Sequence, residues 1–146
     1  MRKNYVVIDT NVFISSLIGQ VGYSRKIFDE IVFTNEVKIC LSKEVLAEYE
    51  EVAQREKFAK YDGFQEKALQ LILAIKEIAF WFEPKEIIRE LSDEDDNMFL
   101  ELAVEADASY VVTGNTKDFG MEQFRGIWIV SPKEFYEKWN DGGIET

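Results

Sequence analysis

The stretch Tyr5-Val6-Val7-Ile8-Asp9-Thr10-Asn11 constrains the fold more than any other part of the chain. Four aromatic or β-branched residues run straight into an aspartate, and the chain then turns polar. A strand with one wet face would alternate. An unbroken apolar run suits a strand covered on both faces, as in a parallel sheet. Asp9 then stands at the strand's carboxyl end, the edge at which open α/β sheets bind ligands. An ionised carboxylate there needs water, a partner or a metal.

The pattern downstream alternates helices with strands. Asn11 to Ile18 reads as a short helix ending near Gly19, and Tyr23 to Phe33 has helical spacing in Ile27, Phe28, Ile31 and Val32. Val37 to Leu41 reads as a second strand, and Ser42 as the N-cap of a helix from Lys43 to about Glu56. After a break over Lys57 to Gly63, an amphipathic helix covers about Phe64 to Glu77. Ile78 to Phe82 is a third strand, and Pro84 to Leu91 favours no element. Ser92 and Asp93 open a helix to about Asp107, followed by a fourth strand, Tyr110 to Thr113. Gly114 to Phe124 is a loop with room for one helical turn, and Gly126 to Val130 is a fifth strand. Ser131-Pro132, a cap followed by proline at the first helical position, opens a last helix to Trp139. The pattern predicts an α/β fold with a central parallel sheet of about five strands and helices on both faces. The 146 residues favour one domain, 1–146, with 140–146 as a frayed tail.

Composition removes whole classes of chemistry. The chain has no histidine, which excludes His-based zinc sites and every nucleophile or general base that depends on imidazole. Cys40 is the single cysteine, so no intrachain disulfide forms. No apolar run reaches the ~18 residues of a membrane span, and the first strand is too short for a signal peptide's apolar region. These features predict a cytoplasmic protein with no membrane partner. The formal net charge of −11 argues against nucleic-acid binding by bulk charge alone. An acidic site neutralised by divalent cations remains compatible with it.

Two helices carry acids of interest. Drawn at ~100° per residue, the helix after Ser42 has Val45, Leu46, Tyr49, Val52 and Ala53 on one arc, and of its glutamates only Glu48 borders that arc. On the wheel alone, a solvated glutamate on an acidic helix is the simpler account of it. On the helix after Ser92, Phe99, Leu100, Ala103, Val104 and Ala106 define the apolar face, and Asp96 falls in its middle. Ser92-x-x-Asp95 and Asp93-x-x-Asp96 resemble capping boxes, which accounts for Asp93 or Asp95 better than for Asp96. A polar loop with Asn115 and Asp118 leaves the fourth strand at the same edge. Asp9, Glu48, Asp96 and Asp118 thus converge. Unit charges ~4 Å apart repel by several kcal/mol at an effective dielectric of ~20, so the acids require a cation to stay ionised together. An oxygen-only set points to Mg²⁺ or Mn²⁺ rather than zinc, and such ions support phosphodiester hydrolysis.

At these residues the chain resembles the PIN-domain ribonucleases. The matching pieces are Val7-Ile8-Asp9-Thr10-Asn11, Leu41 to Tyr49, Asp93 to Glu101, Val111 to Asn115 with Lys117-Asp118-Phe119, and Gly126 to Phe135. Their order and spacing span nearly the whole chain, and within the superfamily they are most similar to the toxins of prokaryotic toxin–antitoxin pairs. The resemblance implies a three-layer α/β/α fold and a four-acid, Mg²⁺-dependent site. It maps Asp9, Glu48 and Asp96 onto family acids, sets Thr113 beside them with Asn11 in support, and implies an RNA substrate, an antitoxin partner and a homodimer. The family usually carries aspartate two residues after the threonine. This chain has Asn115, and Asp118 is the nearest replacement.

Lys43, Arg55, Lys57 and Lys60, interleaved with Phe58 and Tyr61, are candidate RNA contacts, since cations hold phosphates and aromatic rings stack on bases. Phe135, Tyr136 and Trp139 are candidates for a self-association surface. Two other readings compete. A PIN fold that binds RNA or protein without cutting is kept open by Asn115. A haloacid-dehalogenase-type phosphatase also begins with a strand ending in aspartate, but it needs a second acid where this chain has Asn11.

Overall fold

The computed structural model describes residues 2–18 and 22–142. A six-stranded sheet organises them. The strands are β1 (Arg2–Ile8), β2 (Lys38–Leu41), β3 (Phe80–Trp81), β4 (Ala108–Val112), β5 (Gln123–Phe124) and β6 (Ile127–Val130). Their order across the sheet is β3-β2-β1-β4-β6-β5, all neighbours parallel except β5 and β6. Val6, Val7 and Ile8 are all buried, as is every residue of β4, so both faces of the sheet centre are covered. That is the consequence expected of an unbroken apolar run.

The helices are α1 (Thr10–Ser15), α2 (Tyr23–Lys26), α3 (Lys43–Ala53), α4 (Phe64–Ile78), α5 (Asn97–Ala106), α6 (Thr116–Phe119) and α7 (Pro132–Asn140). Ser42 caps α3 by accepting from the Val45 N–H, and Ser131 and Glu134 form a reciprocal capping box on α7 with Pro132 at its first position. No helix among the described residues is long and apolar enough to cross a membrane.

Several elements differ from the sequence expectation. The sheet has six strands because β5 folds back on β6 through Arg125 and Gly126, both at positive φ (51° and 85°). Two consecutive positive-φ residues suit a tight hairpin, but Arg-Gly lacks the usual Asn-Gly signature. The third strand begins at Phe80 rather than Ile78, since α4 runs through Ile78 and the Ala79 N–H closes on the Ile75 carbonyl at 2.8 Å. The first helix spans Thr10–Ser15, and the Gly19 expected to end it lies outside the described residues. The helix from Tyr23 widens after Lys26 into a π-helical segment, Ile27–Val32.

The helix expected from Ser92 starts as a 3₁₀ turn, Glu94–Asp96. The Asp93 carboxylate accepts from the Asp95 N–H at 3.0 Å, a local bond that tightens this turn in place of either expected capping box. At the other end α7 is regular through Asn140, and the expected frayed tail beyond Gly142 lies outside the described residues. Phe135 is core, edge-on to Tyr110 at 5.3 Å, while Tyr136 packs on Tyr23 and Trp139.

Residues 82–91 form an extended strap along α5, and within it Pro84 to Leu91 favoured no element in the sequence. Three α5 side chains hold its backbone: Glu105 accepts from the Lys85 N–H, Glu101 from Ile88 and Asn97 from Leu91. These acceptors are spaced four residues apart and share one helix face. The strap delivers the chain to the turn that bears Asp96.

Candidate active site

The sheet fixes where a site can form. From β1 the chain proceeds outwards through β2 to β3, then returns to β4 on the other side of β1. Such a reversal opens a crevice at the carboxyl ends of the two central strands. Asp9 directly follows β1 and Thr113 directly follows β4, so both lie at that reversal.

Asp9 is only 4% exposed, yet its carboxylate is well supplied with donors. Oδ2 accepts from Thr113 Oγ1 at 2.6 Å and from Asn11 Nδ2 at 3.1 Å. The Thr113 oxygen accepts in turn from the Asn115 N–H at 3.0 Å, which leaves its own proton for Asp9. Asn11 Oδ1 accepts from the Gly114 N–H at 2.9 Å. Asn11 therefore serves as both donor and acceptor, which the two ends of an amide provide and an ionised carboxylate does not. A second aspartate there would lose the donor and add a like charge. Gly114 is matched to this contact, since a Cβ on it would stand 3.2 Å from Asn11 Oδ1. Below the carboxylate, the buried Tyr49 hydroxyl donates to the Ile8 carbonyl, and its ring stacks on Phe13 at 4.8 Å.

A cleft of about 410 Å³ opens above Asp9. Glu48 enters it from α3 and Asp96 from the turn before α5, while Asn11 and Asn115 line it too. Arg55, Lys57 and Phe58 form part of one wall. Lys43 and Lys60 are not among the lining residues; Lys60 instead stands over the Tyr61 ring at 5.3 Å. Arg55 is paired with Glu51 at 2.8 Å, so part of its charge is already answered. Asp118 is exposed on α6 and does not line the cleft. Its backbone N–H donates to the Asn115 carbonyl at 2.9 Å, so the expected helical turn after Gly114 is present.

The cleft carries excess negative charge. Burial raises the Asp9 pKa, against the opposing hydrogen bonds from Thr113, Thr10 and Asn11. Burial also raises Glu48, with Arg55 opposing. Asp96 is pushed up to about 7, first by burial and then by the charges of Asp9, Asp93, Asp118 and Asp95. Strongly perturbed carboxylates gathered in a cleft are a signature of function. Among the described residues, no three acidic side chains stand close enough together to enclose an ion as they are.

Sequence reasoning overlooked several members of this site. Tyr49 reads as core on the helix wheel, and nothing local announces its hydroxyl's partner on another element. Thr10 lies inside the opening motif, but its side chain had no role until its surroundings were known.

The fold and the site together define the class, and comparison with known proteins agrees. The PIN domain family model matches residues 5–117, and the chain belongs to that family. It is 31% identical over 144 residues to the uncharacterised protein MJ1680 of Methanocaldococcus jannaschii, a match that covers 93% of this chain and 92% of the relative. Two solved structures share the fold. VapBC-1 from nontypeable Haemophilus influenzae matches with a TM-score of 0.51 and 18% identity, over 80% of this chain and 90% of that one. FitAcB from Neisseria gonorrhoeae matches with a TM-score of 0.57 and 21% identity, over 88% and 98%.

Proposed function

We propose that this PIN-domain protein is a Mg²⁺- or Mn²⁺-dependent ribonuclease that hydrolyses RNA phosphodiester bonds, and that it acts as the toxin of a toxin–antitoxin pair. The observation that carries the reading is the buried Asp9 at the sheet reversal, sharing one cleft with Glu48 and Asp96. The donor set fits a hard divalent cation. It is made of oxygen atoms, contains no imidazole, and holds an Asp96 whose ionisation is opposed by burial and then by its acidic neighbours. Asp9, Glu48 and Asp96 would hold the ion. When bound, it would activate water and stabilise the leaving oxygen.

The chain's own residues do the positioning. Thr113 and Asn11 fix the Asp9 carboxylate in one orientation, and the Tyr49 hydroxyl steadies the strand end beneath it. Lys57 and Phe58 offer a phosphate contact and a stacking surface on the cleft wall. Asp118, exposed on α6 outside the cleft, would contribute the fourth negative charge only through its field at Asp96. The fold shared with the VapBC-1 and FitAcB structures supports the toxin assignment, with an antitoxin as protein partner.

Purified protein free of any partner should cleave single-stranded RNA with Mg²⁺ or Mn²⁺ and stop in chelator. A non-cutting PIN module that binds RNA or protein is the second reading. It is favoured by Asn115 and by the absence of three converged acids among the described residues. Under that reading RNA stays intact in every cation.

A further inference from the structure

The hydroxyl of Thr10 is the one buried side-chain nitrogen or oxygen among the described residues that has no hydrogen-bond partner. Thr10 is 6% exposed and lines the same cleft as Asp9, Glu48 and Asp96. Its isolation follows from its place in the chain. A serine or threonine inside a helix ordinarily bonds back to a carbonyl three or four residues earlier. Ser15 does so to Val12 and Ser16 to Phe13. Thr10 is the first residue of α1, and the residues three and four before it belong to β1. The nearby polar groups are already engaged: Thr113 with Asp9 and Asn115, and Asn11 with Asp9 and Gly114.

A buried hydroxyl without a partner is destabilising, and an apolar group of the same shape would sit there at no such cost. The polar atom is therefore matched to a ligand. It adjoins carboxylates, which as acceptors repel a phosphodiester, and it is a neutral donor able to bond a phosphate oxygen without shifting the site's charge.

We infer that Thr10 is a substrate-binding residue whose hydroxyl donates to a non-bridging phosphate oxygen of the RNA strand held over Asp9. The inference rests on the ribonuclease reading and adds a contact to that site.

The test compares the wild type with Thr10→Val, which keeps the shape, and Thr10→Ser, which keeps the hydroxyl. Three quantities are read: the melting temperature in chelator, the Mn²⁺ affinity by calorimetry without nucleic acid, and the affinity for a fluorescent single-stranded RNA 12-mer in Ca²⁺. Thr10→Val should melt at or above the wild-type temperature and bind Mn²⁺ as the wild type does. It should bind the RNA five- to tenfold more weakly, and Thr10→Ser should recover most of that loss. Equal RNA affinity in Thr10→Val and wild type overturns the inference, as does a melting temperature lowered by the valine, which would mark a structural hydroxyl. Weaker Mn²⁺ binding in Thr10→Val also overturns it, by assigning the hydroxyl to the cation's surroundings. A wild type that binds no RNA removes the ribonuclease reading, and this contact with it.

Discussion

At the scale of single residues, charge balance in the cleft governs both chemistry and stability. The folded-state pKa of Asp96, about 7, lies above its ordinary value of 3.8. Between those values the folded chain holds more protons than the unfolded one, so stability falls as pH rises. The loss is absent while Asp96 is protonated in both states and complete above about pH 7. Burial shifts Asp9 and Glu48 in the same direction. In chelator the melting temperature should therefore drop between about pH 4 and pH 7. Asp96→Asn should flatten the slope, and Mn²⁺ should restore stability at the upper end. A slope unchanged by Asp96→Asn would show that Asp96 is not the group responsible.

Asp118 is tested separately, because it lies outside the cleft and under the proposed function would act at a distance. Asp118→Asn should slow cleavage at least about tenfold, which corresponds to roughly 1.4 kcal/mol of barrier, with partial rescue by added Mn²⁺. Full activity would leave a site of three acids. That Asp9, Glu48 and Asp96 line one cleft could be anticipated from chain position, because strand ends and helix starts meet at one sheet edge. The Thr113–Asp9 and Asn11–Gly114 bonds could not, since each joins residues more than a hundred positions apart.

At the scale of elements, the site depends on β1 ending where it does. Tyr49 reaches from α3 to the Ile8 carbonyl, and burial raises its phenol pKa, so it remains a donor. Tyr49→Phe removes that bond while keeping the stack on Phe13. It should cost about 1 kcal/mol, seen as a melting temperature lower by roughly 2–4 °C. An unchanged melting temperature would show that the hydroxyl contributes nothing to the strand end. The central strands were legible because their apolar runs are unbroken. The edge strands were less so: β3 keeps only Phe80 and Trp81, both exposed, and β5 depends on a turn at Arg125 that its residue type does not announce. The 82–91 strap was illegible for a different reason. Its backbone is held by Asn97, Glu101 and Glu105 rather than by a ladder, so no periodicity marks it.

At the scale of the whole molecule, a ribonuclease of net charge −11 would have to hold a polyanion without bulk attraction. Under the proposed function, binding would fall to a cation in the cleft and to local contacts such as Lys57 and Thr10. If the protein is a toxin, its expression in a bacterial host should arrest growth, and Asp9→Asn should relieve the arrest at equal protein level. Growth unaffected by the wild type would separate the nuclease from the toxin role. Asp9→Asn is a conservative probe, because an amide oxygen in place of Oδ2 can still accept from Thr113 and Asn11. The most direct measurement is single-stranded RNA cleavage by wild type and Asp9→Asn, side by side, in Mn²⁺ and in chelator, with the fold of both checked by their melting curves. The account predicts cleavage by the wild type in Mn²⁺ alone, and none by a folded Asp9→Asn under either condition. A folded Asp9→Asn that cuts as fast as the wild type, or a wild type that cuts equally well in chelator, would contradict it.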